Sequence, residues 1–249
     1  MVVLLHAFPM DNALWAAQRE ALGGAGYRVI APDLPGFGNS AVAQDEPSLD
    51  VMADAVLELL DHLGIDRVVL AGLSMGGYVA MALLRKAPER ISALVLADTK
   101  GSADTAEAAA NREAVATAVE TAGSTAGIVD GTLNNLLGAT SRESRPEVVA
   151  TVRRWILAQP AAGVAWAQRA MAARPDSASD IGSYGGPVLV LYGEQDTVTT
   201  PADAAAMEQA ARDGGSATTV AAIAGAGHLS SVEDPEAVTE ALLGWLRTL

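Results

Sequence analysis

The chain predicts an α/β architecture, a mostly parallel sheet of about six strands with helices on both faces. Three observations predict it. Short apolar, β-branched runs alternate with longer amphipathic ones through the first hundred residues and again near the end. An Ala-rich stretch from Lys100 to Tyr184 breaks the alternation and carries helical patterns only. Between them, Gly72-Leu73-Ser74-Met75-Gly76 joins an apolar run to a helical one, the setting of a sharp strand-to-helix turn.

In order, Val2–Ala7 reads as a strand and Leu14–Leu22 as a helix stopped by Gly23-Gly24. Tyr27–Ala31 reads as the next strand, followed by a turn-rich stretch through Ser40. Ser48 suits an N-cap, and Met52, Val56, Leu59, Leu60 and Leu63 share one helical face that Gly64 closes. Arg67–Leu73 enters the serine turn, and Ile91–Ala97 is a further strand. Four helical patterns follow, near 104–121, 125–137, 146–158 and 161–173, with Val148, Val152, Trp155 and Ile156 on one apolar face. Pro187–Gly193 and Ala217–Ile223 then read as strands flanking a helix over 201–212. Asp234 and Pro235 open the last helix, with Val238, Ala241, Leu242, Trp245 and Leu246 as its buried face.

Alternating strands and helices imply right-handed crossovers and a ligand site at the carboxyl edge of the sheet. The expected organisation is a core of residues 1–99 and 185–249 with residues 100–184 inserted as a helical lid over that edge. The chain of 249 residues is half hydrophobic, enough for one sizeable core. A net charge of −14 opposes binding to nucleic acid or anionic membranes. There is no cysteine, which removes disulfides and thiol chemistry. His6, His62 and His228 are scattered, which argues against a metal site. The apolar start lacks a basic flank, and no window has transmembrane length, so a cytoplasmic location is expected.

A serine hydroxyl needs a base to take its proton, and the base needs a carboxylate to orient it. Ser74, Asp196 and His228 each follow a predicted strand, so all three reach the same sheet rim. Asp98, just past Ile91–Ala97, is an alternative acid; it is read instead as a cap of the helical insertion. His6 is expected to be a structural loop residue and His62 a surface one. Gly36-Phe37-Gly38 is not a dinucleotide fingerprint, because a proline interrupts it and no helix with a third glycine follows.

Together, His6-Ala7-Phe8-Pro9, Asp33-Leu34-Pro35-Gly36-Phe37-Gly38-Asn39-Ser40, the serine turn with Gly77, Gly193-Glu194-Gln195-Asp196 and Gly227-His228 resemble the α/β-hydrolase fold family of serine hydrolases. The resemblance spans nearly the whole chain. It implies Ser74 as nucleophile, His228 as base and then acid, Asp196 as its orienter, and the backbone N–H groups of Phe8 and Met75 as oxyanion donors. Two departures stand out. Ala7 occupies a position where relatives commonly have glycine. The hairpin that usually precedes the first parallel strand is missing, which leaves a sheet edge open to dimerisation.

The implied activity is cleavage of a small to medium carboxylic ester, with no cofactor or metal, by a monomer or homodimer. Lactonase, thioesterase, perhydrolase and carbon–carbon bond hydrolase activities use the same triad. A receptor on the same scaffold is the non-catalytic alternative. Dehalogenases and epoxide hydrolases of this fold use an aspartate nucleophile, and Ser74 argues against both. Trp155, Trp166, Met171 and Leu137 either line an acyl pocket or pack helices together. A lactone bearing a carboxylate needs a cation, for which Arg142, Arg145, Arg153, Arg154 and Arg169 are candidates.

Overall fold

The structure is a computed structural model that describes residues 1–249. Six strands, β1 (Val2–Leu5), β2 (Val29–Ile30), β3 (Val68–Leu73), β4 (Ile91–Ala97), β5 (Val188–Gly193) and β6 (Thr218–Ile223), form one sheet. Its order is β2-β1-β3-β4-β5-β6, and every pairing is parallel. Twelve α-helices flank it: α1 (Ala16–Gly24), α2 (Leu49–His62), α3 (Met75–Lys86), α4 (Ala106–Ala122), α5 (Val129–Leu136), α6 (Ala139–Ser144), α7 (Pro146–Ala158), α8 (Ala161–Ala172), α9 (Ala178–Tyr184), α10 (Pro201–Asp213), α11 (Ser230–Glu233) and α12 (Pro235–Leu246).

The twofold alternation of strand side chains splits the core into two layers. Val3 and Leu5 of β1, Leu94 and Leu96 of β4, and Val188 and Val190 of β5 pack with apolar residues of α2, α3 and α10. Their neighbours Val2 and Leu4, Ala93 and Val95, and Leu189 and Leu191 pack with α12 and with Leu22 of α1 on the opposite face. A strand buried on both faces has no polar side to display, which is why these runs are continuously apolar.

Several element bounds differ from the sequence reading. The second strand shrinks to Val29–Ile30, because Tyr27 N–H closes the preceding helix on Leu22 O and Pro32 has no donor to add. The first helix is preceded by a 3₁₀ turn, Asn12–Trp15, capped by Asp11, and it runs through Gly23 and Gly24. Leu63 leaves the apolar stripe and is 41% exposed, because it stands past the helix end, beside Gly64 at φ +63°. Ser48 and Asp234 cap as expected, each side chain accepting a backbone N–H of its helix.

Between β4 and β5 the chain forms six helices rather than four. α4 packs along α8, and α5 along α7. α9 instead packs on α3 and α10, beside the sheet. The rest of this segment is tied to loops at the carboxyl ends of the strands. Gly38 N–H donates to Gln159 Oε1 at 3.1 Å, Trp166 Nε1–H to Asp45 O at 3.0 Å, and Thr140 N–H to Gln195 Oε1 at 3.0 Å. No helix is long and apolar enough to cross a membrane.

Candidate active site

Ser74 sits at the junction of β3 and α3 with φ +54° and ψ −113°, a conformation rarely adopted by a residue with a Cβ. Holding it costs about 1–3 kcal/mol, which the surrounding contacts must offset. Those contacts admit no side chain. A Cβ on Gly72 would lie 2.1 Å from Gly76 O, and one on Gly76 would lie 2.2 Å from Leu5 O. The glycines therefore let β3, α3 and β1 close around the serine.

Three distant segments meet at this turn. Ser74 Oγ and His228 Nε2 are 2.7 Å apart, and His228 Nδ1 is 2.7 Å from Asp196 Oδ2. His228 and Asp196 are buried, and Ser74 is 7% exposed. Asp196 Oδ1 accepts the N–H groups of Val198 and Thr199 at 2.7 and 3.0 Å, and Oδ2 accepts Thr199 Oγ1–H at 2.6 Å. Burial alone raises a carboxyl pKa. Here the charge and hydrogen bond of His228, with the Thr199 donors, outweigh it and hold Asp196 below the ordinary carboxylate value. Burial likewise works against a charged His228, but the Asp196 charge and hydrogen bond raise the imidazole above its ordinary value.

The turn after β1 is braced separately. His6 donates from Nδ1 to Ala7 O and accepts Leu34 N–H at Nε2, each at 2.9 Å. These partners require a neutral ring, and burial lowers its pKa accordingly. Phe37 stacks edge-on against both His6 and Phe8. The tight loop around Gly36 thus supports the segment that carries the Phe8 amide. No loop or side-chain acceptor takes up the N–H of Phe8 or of Met75, so both donors are free for a ligand.

Asp98 does not cap the helical insertion, whose first helix is capped by Thr105, and it makes no hydrogen bond to His228. Its Oδ1 accepts Gly193 N–H at 2.8 Å, and its Oδ2 accepts both the N–H and the hydroxyl of Ser230. It ties the end of β5 to the start of α11. Burial, followed by the Asp196 charge, pushes its pKa up to about 8. Glu233 does similar work beside the histidine. Its Oε1 accepts the N–H groups of Gly227 and Leu229, and its Oε2 that of Gly138. Nothing in the sequence pattern singles out Glu233; Thr199 has a weak signal in its Asp-x-x-Thr spacing from Asp196.

A cleft of about 350 Å³ lies beside this rim, reaching Phe8 and Val198 but not lined by Ser74, Met75 or His228 themselves. Phe8 and Val198 border it on the core side, and residues of α4, α5 and α8 border it on the other. None of Trp155, Trp166, Met171 and Leu137 lines it. Trp155 packs against the core layer that holds Val152 and Ile156. Trp166 is buried and anchored on Asp45 O, Met171 is buried beneath Arg112, and Leu137 is buried at the start of the α5–α6 junction. Each is apolar enough to be drawn into the packed interior, and the cleft is lined by a mixture of apolar residues such as Phe8, Val115 and Leu136 and polar ones such as Asn111, Arg112 and Gln168.

The candidate arginines are also elsewhere. Arg153 pairs with Asp130, and Arg169 with Glu113 and Glu120. Arg142, Arg145 and Arg154 donate to Asn134 O, Glu233 O and the Thr151 hydroxyl. The arginine that lines the cleft is Arg112 of α4. No three His, Asp or Glu side chains stand together as a metal site.

Residues 1–235 match the sequence profile of the alpha/beta hydrolase fold. Over 99% of its length the chain is 33% identical to the dihydrolipoyllysine-residue acetyltransferase component of an acetoin cleaving system from Pseudomonas putida, and it spans 63% of that protein. Among solved structures, a thermophilic esterase from Thermogutta terrifontis, determined with malate bound, is 40% identical. It superposes with a TM-score of 0.94 over 99% of this chain and 89% of that one. An enol-lactonase from Burkholderia xenovorans LB400 is 28% identical, with a TM-score of 0.88 over 99% and 90% of the two chains. The strained serine between β3 and α3, the parallel sheet beneath it and the profile match lead to one conclusion: this chain belongs to the alpha/beta hydrolase fold family.

Proposed function

We propose that the chain is a serine hydrolase that cleaves a small to medium carboxylic ester through an acyl-enzyme. The observation that carries the reading is the continuous contact from Ser74 Oγ through His228 to Asp196. His228 Nε2 takes the hydroxyl proton as Ser74 Oγ attacks the ester carbonyl, and Asp196 stabilises the imidazolium that forms. The Phe8 and Met75 N–H groups receive the developing oxyanion, a contribution on the order of 3 kcal/mol per donor. His228 then gives its proton to the departing alcohol. Water, deprotonated by the same nitrogen, releases the acid and restores Ser74.

In this reading residues 100–184 act as the lid, with α9 serving the core, and the cleft between α4, α5 and α8 holds the substrate. Likeness to an esterase at 40% identity supports ester chemistry. The lactone alternative draws on the enol-lactonase neighbour and uses the same groups, since a lactone is a cyclic ester.

The test is turnover of p-nitrophenyl butyrate by the wild type and by Ser74→Ala, with fluorophosphonate labelling of the serine. The expected outcome is activity and labelling that both vanish with Ser74. Equal hydrolysis by both proteins, or a folded wild type that resists the label, would rule the reading out.

A further inference from the structure

The charges around the cleft point to a specific kind of substrate. Asp104, with a side chain only 1% exposed, is shared by two guanidiniums: Arg112 Nε at 2.5 Å and Arg174 Nη2 at 2.8 Å. One carboxylate against two arginines leaves a net positive charge. Arg174 is itself 4% exposed, lies over the Tyr78 ring, donates to Met171 O and Ser102 O, and keeps its Nε buried, so it offers no edge to the cleft. The surplus charge falls on Arg112, which is 21% exposed and lines the cleft.

Arg112 is held firmly on one side and open on the other. Its Nε is bound by Asp104, and its Nη1 donates to Gln168 Oε1 at 3.0 Å. Nη2 has no hydrogen-bond partner in the protein. The same contact orients Gln168. With Oε1 committed to Arg112, its Nε2 is left as a second donor, and it is not among the buried unpaired atoms although the residue is only 7% exposed. No Asp or Glu lines the cleft, in a chain that carries a net charge of −14. A guanidinium edge beside an amide N–H₂, preorganised by a buried carboxylate, suits a planar carboxylate.

We infer that the preferred substrate is an ester or lactone that carries a free carboxylate, docked on Arg112 Nη2 and Gln168 Nε2 while its ester carbonyl lies between Ser74 and the Phe8 and Met75 amides. This rests on the serine-hydrolase reading above and narrows its substrate class. An acidic protein disfavours anionic ligands generally, so preference for one identifies a local site rather than a long-range field.

The experiment compares monomethyl adipate, an anion at neutral pH, with dimethyl adipate, its neutral counterpart of similar length. Both are measured as competitors of p-nitrophenyl butyrate hydrolysis, so the inhibition constants report binding whether or not the adipates are cleaved. The wild type is expected to bind the monoester about 10-fold or more tightly than the diester, with the ratio shrinking as salt is raised. In Arg112→Gln the ratio falls to about one, and Arg112→Lys keeps part of it, because the charge survives without the fork. A wild type that fails to prefer the monoester overturns the inference without recourse to any variant. So does a folded Arg112→Gln protein that keeps the wild-type ratio. Loss of Ser74-dependent butyrate hydrolysis in the wild type is a different result, and it removes the hydrolase reading itself.

Discussion

Glu233 offers a sharp test of how the histidine is held. Its carboxylate receives three backbone N–H groups, Gly138 at 2.8 Å, Gly227 at 2.9 Å and Leu229 at 3.2 Å, and the residue is 1% exposed. Glu233→Ala leaves all three donors buried without a partner, at about 1–3 kcal/mol each. The total, about 3–9 kcal/mol, is comparable with the whole stability of many domains. Glu233→Gln is milder. Its carbonyl still serves Gly227 and Leu229, and only Gly138 N–H loses its acceptor, a cost of about 1–3 kcal/mol. At about 2–4 °C per kcal/mol for a chain of this size, the glutamine variant should melt lower by about 2–12 °C and the alanine variant by more.

Because Gly227 and Leu229 flank His228, the two variants should differ in chemistry as well. Alanine frees the imidazole from its place beside Ser74, so the rate of fluorophosphonate labelling should fall by about 10-fold or more, since small misplacements of a reacting group cost that much. Glutamine should label near the wild-type rate. Melting curves and labelling kinetics on the three proteins decide the matter. An alanine variant that melts within about 2 °C of wild type would refute the reasoning, as would a glutamine variant that is the more damaged of the two.

Other perturbations give equally direct outcomes. Asp196→Asn removes the charge that raises His228, so the acid limb of the kcat/KM profile should move to lower pH while kcat drops by about 10⁴, the loss known for this change in a protease triad; an unmoved limb in the pH–rate profile would contradict the pairing. Asp98 holds its proton up to about pH 8 in the folded state but releases it near its ordinary value of 3.8 when unfolded, so its contribution to stability declines as pH rises through that window. Urea midpoints should therefore show Asp98→Asn less destabilised relative to wild type at high pH than at low, and a pH-independent difference would exclude the assignment. Gly76→Ala places a Cβ 2.2 Å from Leu5 O, backbone against backbone, and should lower the melting temperature by about 6 °C or more; an unchanged melting temperature would show that β1 and α3 are not so closely packed.

Much of this molecule was legible in local chemistry. The serine turn announces itself because only glycine tolerates the approach of Gly72 to Gly76 and of Gly76 to β1. Asp196 and His228 could be located because parallel strands deliver their carboxyl ends to one rim, so a residue just after a strand has a known address. Ser48 and Asp234 could be located because capping is a contact within a few residues. What depended on pairs far apart in sequence was not legible. Glu233 meets Gly138 across 95 residues, Asp98 meets Ser230 across 132, and neither acid carries a distinguishing pattern. The helical insertion was hardest, since its apolar residues fit a seam or a pocket equally well and its many arginines look alike until their partners are seen.

By itself, then, the sequence determined the alternating parallel architecture and the glycine-flanked serine turn, because each of these follows from periodicity or from steric demands within a turn. Only the tertiary structure decided which side chains face the cleft. Trp166 and Met171 turned inward to bury apolar surface, and Arg112 was left lining the cleft because Asp104 and Gln168 grip one edge of it while the other has no partner in the protein. Burial and pairing are properties of the assembled chain, so no local sequence pattern reveals where they leave a charge uncompensated.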